Sequence, residues 1–322
     1  MIASIGIALA AGSASALMFA SVLGARTSLL LACLVSLAPL PLMLAGLAWG
    51  QLTATIGAIV AACLFGAIFG LPGCIVFIVG VALPAWWLSH LAMLGRPTTG
   101  PASQGEDRLD VEWYPVGRIL IWIAAIAILT TAGLLLSLGT DIETIGGTLR
   151  AGLLAASQND GRLTADDIEL FVKLFVIMAP VALPFGIMMT LMLNLWLAAK
   201  VALTSGHLRR PWPDFRSIAL PAMSLVVLSV AIAFSFVGGL FAKMALTVAT
   251  ALLLAYAMVG FAALHVLTLS ARNRAFWLGC VYIVTFMFSG LIVVMALLGI
   301  ADALFGLRQR FLQSRPPPLP VS

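Results

Sequence analysis

The fragment LTSGH sets Ser205 and His207 two residues apart, a hydroxyl and an imidazole that could in principle support nucleophilic hydrolysis. The pair lacks the rest of the machinery: no glycine-flanked nucleophile turn and no orienting carboxylate stands at a readable spacing. No phosphate-binding GxxxxGKS or GxxxxGKT loop, no HExxH and no Gly-rich dinucleotide turn occurs either. The carboxylates are confined to Glu106 through Glu112, Asp141 through Glu169, Asp214 and Asp302, outside the middle of every long apolar stretch. A carrier that moves its own protons needs a carboxylate at membrane depth, so that class is disfavoured. Cys33, Cys63, Cys74 and Cys280 lie in apolar stretches without CxxC spacing and read as small core residues rather than metal ligands. The expectation is a protein without enzymatic chemistry, cofactor or metal.

The few polar groups near apolar stretches then carry what functional signal there is. Pro39 and Pro41 in APLPLML must break or kink a helix, and the freed carbonyls must find partners. Discontinuous helices often line binding cavities, although a kink that only improves packing is commoner. Asn194, in TLMLNLWLAAK, can hydrogen-bond a ligand or bridge to a neighbouring helix. The adjacent Trp86 and Trp87 point in two directions at once, and His90 follows them. Pro39, Pro41, Trp86, Trp87, His90 and Asn194 are therefore the residues expected to line a ligand cavity. His265 falls at a span end, and Lys243 reads as a snorkelling cation at a hairpin.

These residues must be positioned by membrane helices. The 322 residues are 62% hydrophobic and 9% charged, with mean hydropathy +1.15, against about 25% charged for a soluble domain. No charge occurs between Arg26 and Arg96, and only Lys243 between Arg216 and Arg272. Runs of this kind fold in lipid as helices, because unpaired backbone groups are costly there; the alternation of a barrel is absent. No Lys or Arg precedes Arg26, so the first segment reads as a retained helix rather than a signal peptide. At about 20 residues per span, nine spans are expected: 2–23, 28–49, 52–70, 73–94, 117–138, 176–202, 218–241, 245–269 and 276–300. The fold class is an all-α polytopic bundle of nine spans, or eight if one is re-entrant. Residues 1–304 read as one transmembrane domain and 305–322 as a basic, Pro-rich tail.

Two polar stretches interrupt the spans. Residues 95–117 read as a flexible loop that becomes ordered near Trp113 and Tyr114. In the insertion at 139–173, Ile142, Ile145, Leu149 and Leu153 recur at helical spacing, predicting an amphipathic surface helix. Thr164 and Asp167 form a capping-box pattern that starts a helix feeding the sixth span. The loop HLRRPWPDFR is densely basic and is assigned to the cytoplasmic side. Arg209, Arg210, Arg216, Arg272 and Arg274 are expected to contact anionic lipid headgroups, and no nucleic-acid partner is implied by the net charge of +5.

The first helix carries a stripe of small residues four apart: Ser4, Ala8, Gly12, Ala16, Ala20 and Gly24. Such a stripe permits close backbone approach, either to an internal neighbour or to another subunit. This helix, ending in ALMFASVLG, together with APLPLMLAGLAWG and with LPAWWLSHLAML followed by WYPVGRIL, resembles the YybS-like family of bacterial multi-pass membrane proteins, a domain of unknown function. The likeness runs through most of the chain, is strongest over Gly12 to Leu120 and is hardest to align over Thr140 to Lys173. The resemblance implies a bacterial cytoplasmic (inner) membrane protein and a fold similar to the S components of energy-coupling-factor transporters. In those, a first helix of small residues docks on a transmembrane coupling subunit driven by an ATPase. Carried over, Ala8, Gly12, Ala16 and Ala20 would be the docking stripe. The chain departs from the S-component pattern in having more spans and no recognisable ligand-binding signature. A non-enzymatic structural or assembly factor of the cell envelope is the alternative.

Overall fold

The computed structural model describes residues 2–21, 29–97, 111–139, 141–160, 164–288 and 290–313. The fold is all-α apart from one short ribbon. Two compact units are distinguished, Met1–Ile126 with Gly186–Pro213, and Ala127–Phe185 with Asp214–Ser322. By length and composition, six helices among the described residues could cross a membrane, or seven if the bent pair Leu291–Phe305 and Leu307–Gln313 counts as one span. This is fewer than the eight or nine expected, and the reasons lie in the helix breaks.

The first unit begins with α1 (Ile2–Ala20), α2 (Leu29–Ser36) and α3 (Pro39–Trp49). Pro39 and Pro41 break the second apolar stretch as the sequence requires, and Pro39 opens α3, where a missing N–H does no harm. Two carbonyls at the break receive side-chain donors: Ser15 Oγ donates to Ala38 O at 2.7 Å, and Asn194 Nδ2 to Ser36 O at 2.7 Å.

The stretches expected as spans three and four form one run, Gln51–Ala92, made of α4 (Gln51–Phe77), a π-helical turn at Ile78–Ala82 and α5 (Leu83–Ala92). As a straight rod its 42 residues would extend about 63 Å, twice the hydrocarbon thickness. It is not straight. Gly70 adopts φ 71°, ψ −173°, and Pro72 follows, so the chain folds back there. The Trp86 indole N–H donates to Thr55 Oγ1 at 2.8 Å, and Phe65 stacks on Phe77 with ring centroids 5.5 Å apart. Only Gly accepts a positive φ without strain, which is why the reversal sits at Gly70. An antiparallel ribbon follows, β1 (Gly95–Pro97) with β2 (Val111–Trp113), in which Arg96 pairs with Glu112. Most of the polar loop, residues 98–110, lies outside the described residues.

The helices α6 (Val116–Leu138) and α8 (Ala165–Thr204) contribute to both units. Between them α7 (Ile142–Asp160) carries the expected stripe: Ile145 is buried and Ile142, Leu149 and Leu153 are half-buried. The stripe side packs on the first turns of α8. Gly146 approaches Val172, and Arg150 pairs with Glu169 at 2.6 Å. The capping box is present, with Thr164 N donating to Asp167 Oδ2 at 3.0 Å and Asp167 N to Thr164 Oγ1 at 3.2 Å. Thr164→Ala should cost about 1 kcal/mol, read as faster amide exchange confined to the first turn of α8. At the start of α7, the Thr144 backbone N–H donates to Asp141 at 2.8 Å and holds its carboxyl below the ordinary 3.8. A depressed carboxylate contributes above its unfolded value and is lost as pH falls through the folded one. That helix start should therefore fray only below about pH 4.

The second unit continues with α9 (Met223–Phe234), α10 (Gly239–Leu267), α11 (Arg274–Met287), α12 (Leu291–Phe305) and α13 (Leu307–Gln313). The expected seventh span shrinks to the 12 residues of α9, about 18 Å long. The expected ninth is divided between α11 and α12, and α12 bends by 65° into α13 across Gly306, which is left-handed at φ 62°. Part of the stretch expected as a tail is thus helical, and RPPPLP lies outside the described residues. The core of this unit is the crossing of α10 and α12. A Cβ at Gly260 would overlap the Met295 carbonyl, and one at Gly299 the Tyr256 carbonyl.

Candidate functional site

The residues expected to form a ligand cavity are placed in two groups in the first unit, and both groups are engaged in packing. Asn194 is fully buried; besides Ser36 O its amide reaches Thr190 O at 2.7 Å, while Oδ1 has no partner among the described residues. It serves the broken helix at Pro39, which is buried, and Pro41, which is half-buried. Trp86, Trp87 and His90 form an aromatic cluster with Trp122. Trp86 and His90 are stacked at 5.9 Å, and Trp87 meets Trp122 edge-on at 5.0 Å. Trp86 is fixed by Thr55 and by Gln51, whose side-chain amide donates to Trp86 O at 2.9 Å. Ser205 and His207 are close in sequence without forming a dyad: Ser205 Oγ donates to Val201 O at 2.8 Å, and His207 Nδ1 meets Ser205 O.

The stripe on α1 lies along an internal seam over its central residues. Ala8, Gly12 and Ala16 are buried, Ser4 and Ala20 are half-buried, and Gly24 lies outside the described residues. Gly12 faces the backbone of Gly57 in α4, and Gly57 in turn faces Ala8 O, leaving no room for a side chain at Gly12 and a tight fit for one at Gly57. Gly12→Leu should therefore abolish the folded protein itself, measured as detergent-extractable yield, instead of sparing the protein and removing only a partner.

The basic residues divide similarly. Arg210 donates to Ala92 O and Tyr114 O, both at 2.9 Å, pinning its loop to the end of α5 and to the segment after the ribbon. Burial lowers the pKa of its guanidinium, which stays charged at any working pH. Arg274 donates to His265 O at 3.2 Å. Arg209 and Arg272 are exposed, as the headgroup role requires, and Arg216 is an exposed lining residue of a cavity.

That cavity, about 760 Å³, lies wholly within the second unit, and none of the six residues expected to line a ligand space is among its walls. Its lining includes Tyr256, 1% exposed, whose hydroxyl shares a 2.7 Å hydrogen bond with the buried Ser224. The lining also includes Asp302, 5% exposed, in the last turn of α12. The sequence reading left this carboxylate outside the apolar spans; the helix register places it inside, paired with Arg308. Arg308 Nε and its backbone N–H donate to the two Asp302 oxygens at 2.7 and 2.9 Å. Its other guanidinium nitrogens donate to Arg216 O at 2.5 Å and Ile218 O at 2.9 Å. One arginine thus ties α12, α13 and the 216–218 segment together. In the sequence Arg308 reads only as a cation of the tail, because two of its three partners, Arg216 O and Ile218 O, lie some ninety residues away.

No curated protein and no solved structure matches the chain. A family model does, over residues 118–303, from α6 through Asp302. The match begins where the strongest stretch of the resemblance, Gly12 to Leu120, ends, and it includes the insertion that was hardest to align. Short apolar motifs are dictated by the lipid and say little of descent, whereas the matched part holds the polar insertion, the α10–α12 crossing and most of the cavity wall. With more than half of its length matched, the chain belongs to the family of predicted membrane proteins DUF2232.

Proposed function

We propose that this multi-pass membrane protein is a non-enzymatic binding subunit of the bacterial cytoplasmic membrane that holds a small molecule in the cavity of its second unit. The observation that carries the reading is the cavity itself: its volume of about 760 Å³ falls in the range of small-molecule sites, about 300–1,000 Å³, and it pairs apolar walls with a few fixed polar groups. Any transport would be driven by a separate ATPase through a transmembrane coupling subunit, as in the S components that the sequence resembles. The cavity of the second unit, not the proline-broken helix, is the proposed binding place. Eight crossings fit this reading: the six candidate helices, one more because Gln51–Ala92 folds back on itself, and one for the bent α12–α13 pair. The test is purification in mild detergent with mass spectrometry of retained small molecules and copurifying proteins. Absence of any retained molecule would overturn the binding reading, and absence of an ATPase its transport extension.

A structural or assembly role in the envelope is the second reading, favoured by one observation: Gly12, Asn194 and Arg210 are all committed to contacts within their own unit. Site-specific crosslinking from the exposed loop at Arg209 that returned only lipid and self-contacts would remove it.

A further inference from the structure

From the walls of the second-unit cavity we infer that its ligand is an anionic phosphate ester, gripped by the exposed lining residues Arg216 and Arg310, with any acyl chain lying against the apolar lining residues Leu220, Leu225 and Leu304. The inference rests on the binding reading above and names the chemistry of the ligand. Its starting point is charge. The lining holds three arginines, Arg216, Arg308 and Arg310, and one carboxylate, Asp302, a net charge of +2 with no other ionisable acid in the wall. Asp302 is spent on Arg308. Arg308 is spent in turn: Nε, Nη1 and Nη2 are all bonded to Asp302, Arg216 O or Ile218 O. It is a positioning residue that fixes the wall, and it has little left to offer a ligand.

Arg216 and Arg310 are different. Both are exposed at the cavity, and neither guanidinium takes part in an ion pair or side-chain hydrogen bond among the described residues. The Arg308 clamp holds both in place, because it grips the backbone of Arg216 directly and fixes α13, which carries Arg310. Two exposed guanidinium forks lining one cavity, both unpaired among the described residues, suit a phosphate group, whose unesterified oxygens accept paired donors. The hydroxyl of the lining residue Tyr256 is satisfied by the buried Ser224, so it asks for no second charge. The lining thus combines anion-seeking exposed arginines with apolar side chains, which fits a headgroup joined to a hydrocarbon chain.

The experiment uses the full chain in mild detergent, with retained ligand counted by native mass spectrometry. Phosphatidylglycerol, phosphatidylcholine and glycerol 3-phosphate are the probes, and the variants are R216Q/R310Q and A219W, which places bulk at the exposed, cavity-lining Ala219. The expected result is one phosphatidylglycerol per chain, preferred over phosphatidylcholine by about 30-fold, each headgroup-facing arginine contributing about fivefold. R216Q/R310Q should erase the preference and A219W should abolish binding. Retention of glycerol 3-phosphate with the same sensitivity to both variants also supports the inference and identifies a soluble phosphate ester as the source. Lipid retention that A219W abolishes, but that shows no headgroup preference in the wild type or an unchanged one in R216Q/R310Q, overturns this inference and leaves the binding reading standing. Retention indifferent to A219W, or no retention of any probe, overturns both.

Discussion

Replacing Gly260 by alanine should destabilise the second unit more than any other single methyl addition within it, and Gly260→Leu should leave no folded protein to purify. The reason is the nature of what the new atom would meet. A Cβ at Gly260 would overlap the backbone carbonyl of Met295, and the neighbouring amide of Gly299 lies 3.1 Å from it. A side chain can swing aside, but a helix backbone moves only by separating the two helices. Overpacking a core ordinarily costs about 1–3 kcal/mol, and the alanine variant should fall at the upper end of that range. In lipid the loss is not offset by hydrophobic reburial, because separated helices simply contact acyl chains; association here depends on close packing. Gly279→Ala is the internal control: Gly279 lies in α11 with open space around its Cβ position, so alanine should be neutral or stabilising by up to about 1 kcal/mol through helix propensity. Thermal unfolding in one detergent, followed by tryptophan fluorescence, compares the two. Equal melting temperatures would refute the close crossing of α10 and α12.

The second large effect is expected at the Asp302–Arg308 pair. The two side chains are only 4% and 13% exposed and meet at 2.7 Å. Removing one partner of a buried pair leaves the other charge without compensation, at a cost of about 3–5 kcal/mol. Asp302→Ala should therefore be strongly destabilising. Arg308→Ala should be at least as costly to the local structure, since it also releases the carbonyls of Arg216 and Ile218. Asp302→Asn, which keeps an acceptor, and Arg308→Lys, which keeps the charge but loses the fork, should each fall between wild type and alanine. The double variant Asp302→Asn/Arg308→Gln should be less damaging than the sum of the singles, because neither charge is then stranded. A double-mutant cycle on unfolding free energy measures this, and additive losses would mean that the pair is not coupled.

How much was legible before the coordinates depended on whether the signal was local. The proline break at Pro39, the stripe on α7 and the capping box at Thr164 and Asp167 are all local: each is set by residues within a turn or two of one another, and each is present. The reversal at Gly70 was half legible. The boundary between two expected spans fell on Gly70 to Pro72, but only the contacts of Trp86 with Thr55 and of Phe65 with Phe77 show that the limbs lie side by side. The stripe on α1 was readable as a close-approach surface, while its partner, Gly57 in α4, was not, since a small residue in an Ala- and Gly-rich helix carries no address. The α10–α12 crossing at Gly260 and Gly299 went unread for the same reason.

The candidate site was the least legible part. Trp86, Trp87, His90 and Asn194 stand out in the sequence because polar and aromatic groups at membrane depth are costly and so are informative. That argument says such groups must be satisfied; it does not say by what. Asn194 proves to serve the carbonyl of Ser36 in a broken helix 158 residues earlier in the chain. The cavity is instead walled by residues that each look ordinary alone: an aspartate at a helix end, arginines in a loop and a tail, a tyrosine among alanines.

The amino-acid sequence by itself determined the membrane class, the helical composition, the places where helices break and the absence of recognisable catalytic motifs. Lipid imposes those on every segment independently: each stretch must bury its own backbone polar groups and supply its own apolar length. The tertiary structure decided which spans fold back, which small residues meet, and that Asp302, Arg308 and Tyr256 share one cavity with Arg216 and Arg310. Such juxtapositions depend on pair contacts between residues far apart in the chain, whose energies come from shape and charge complementarity rather than from the composition of either segment alone.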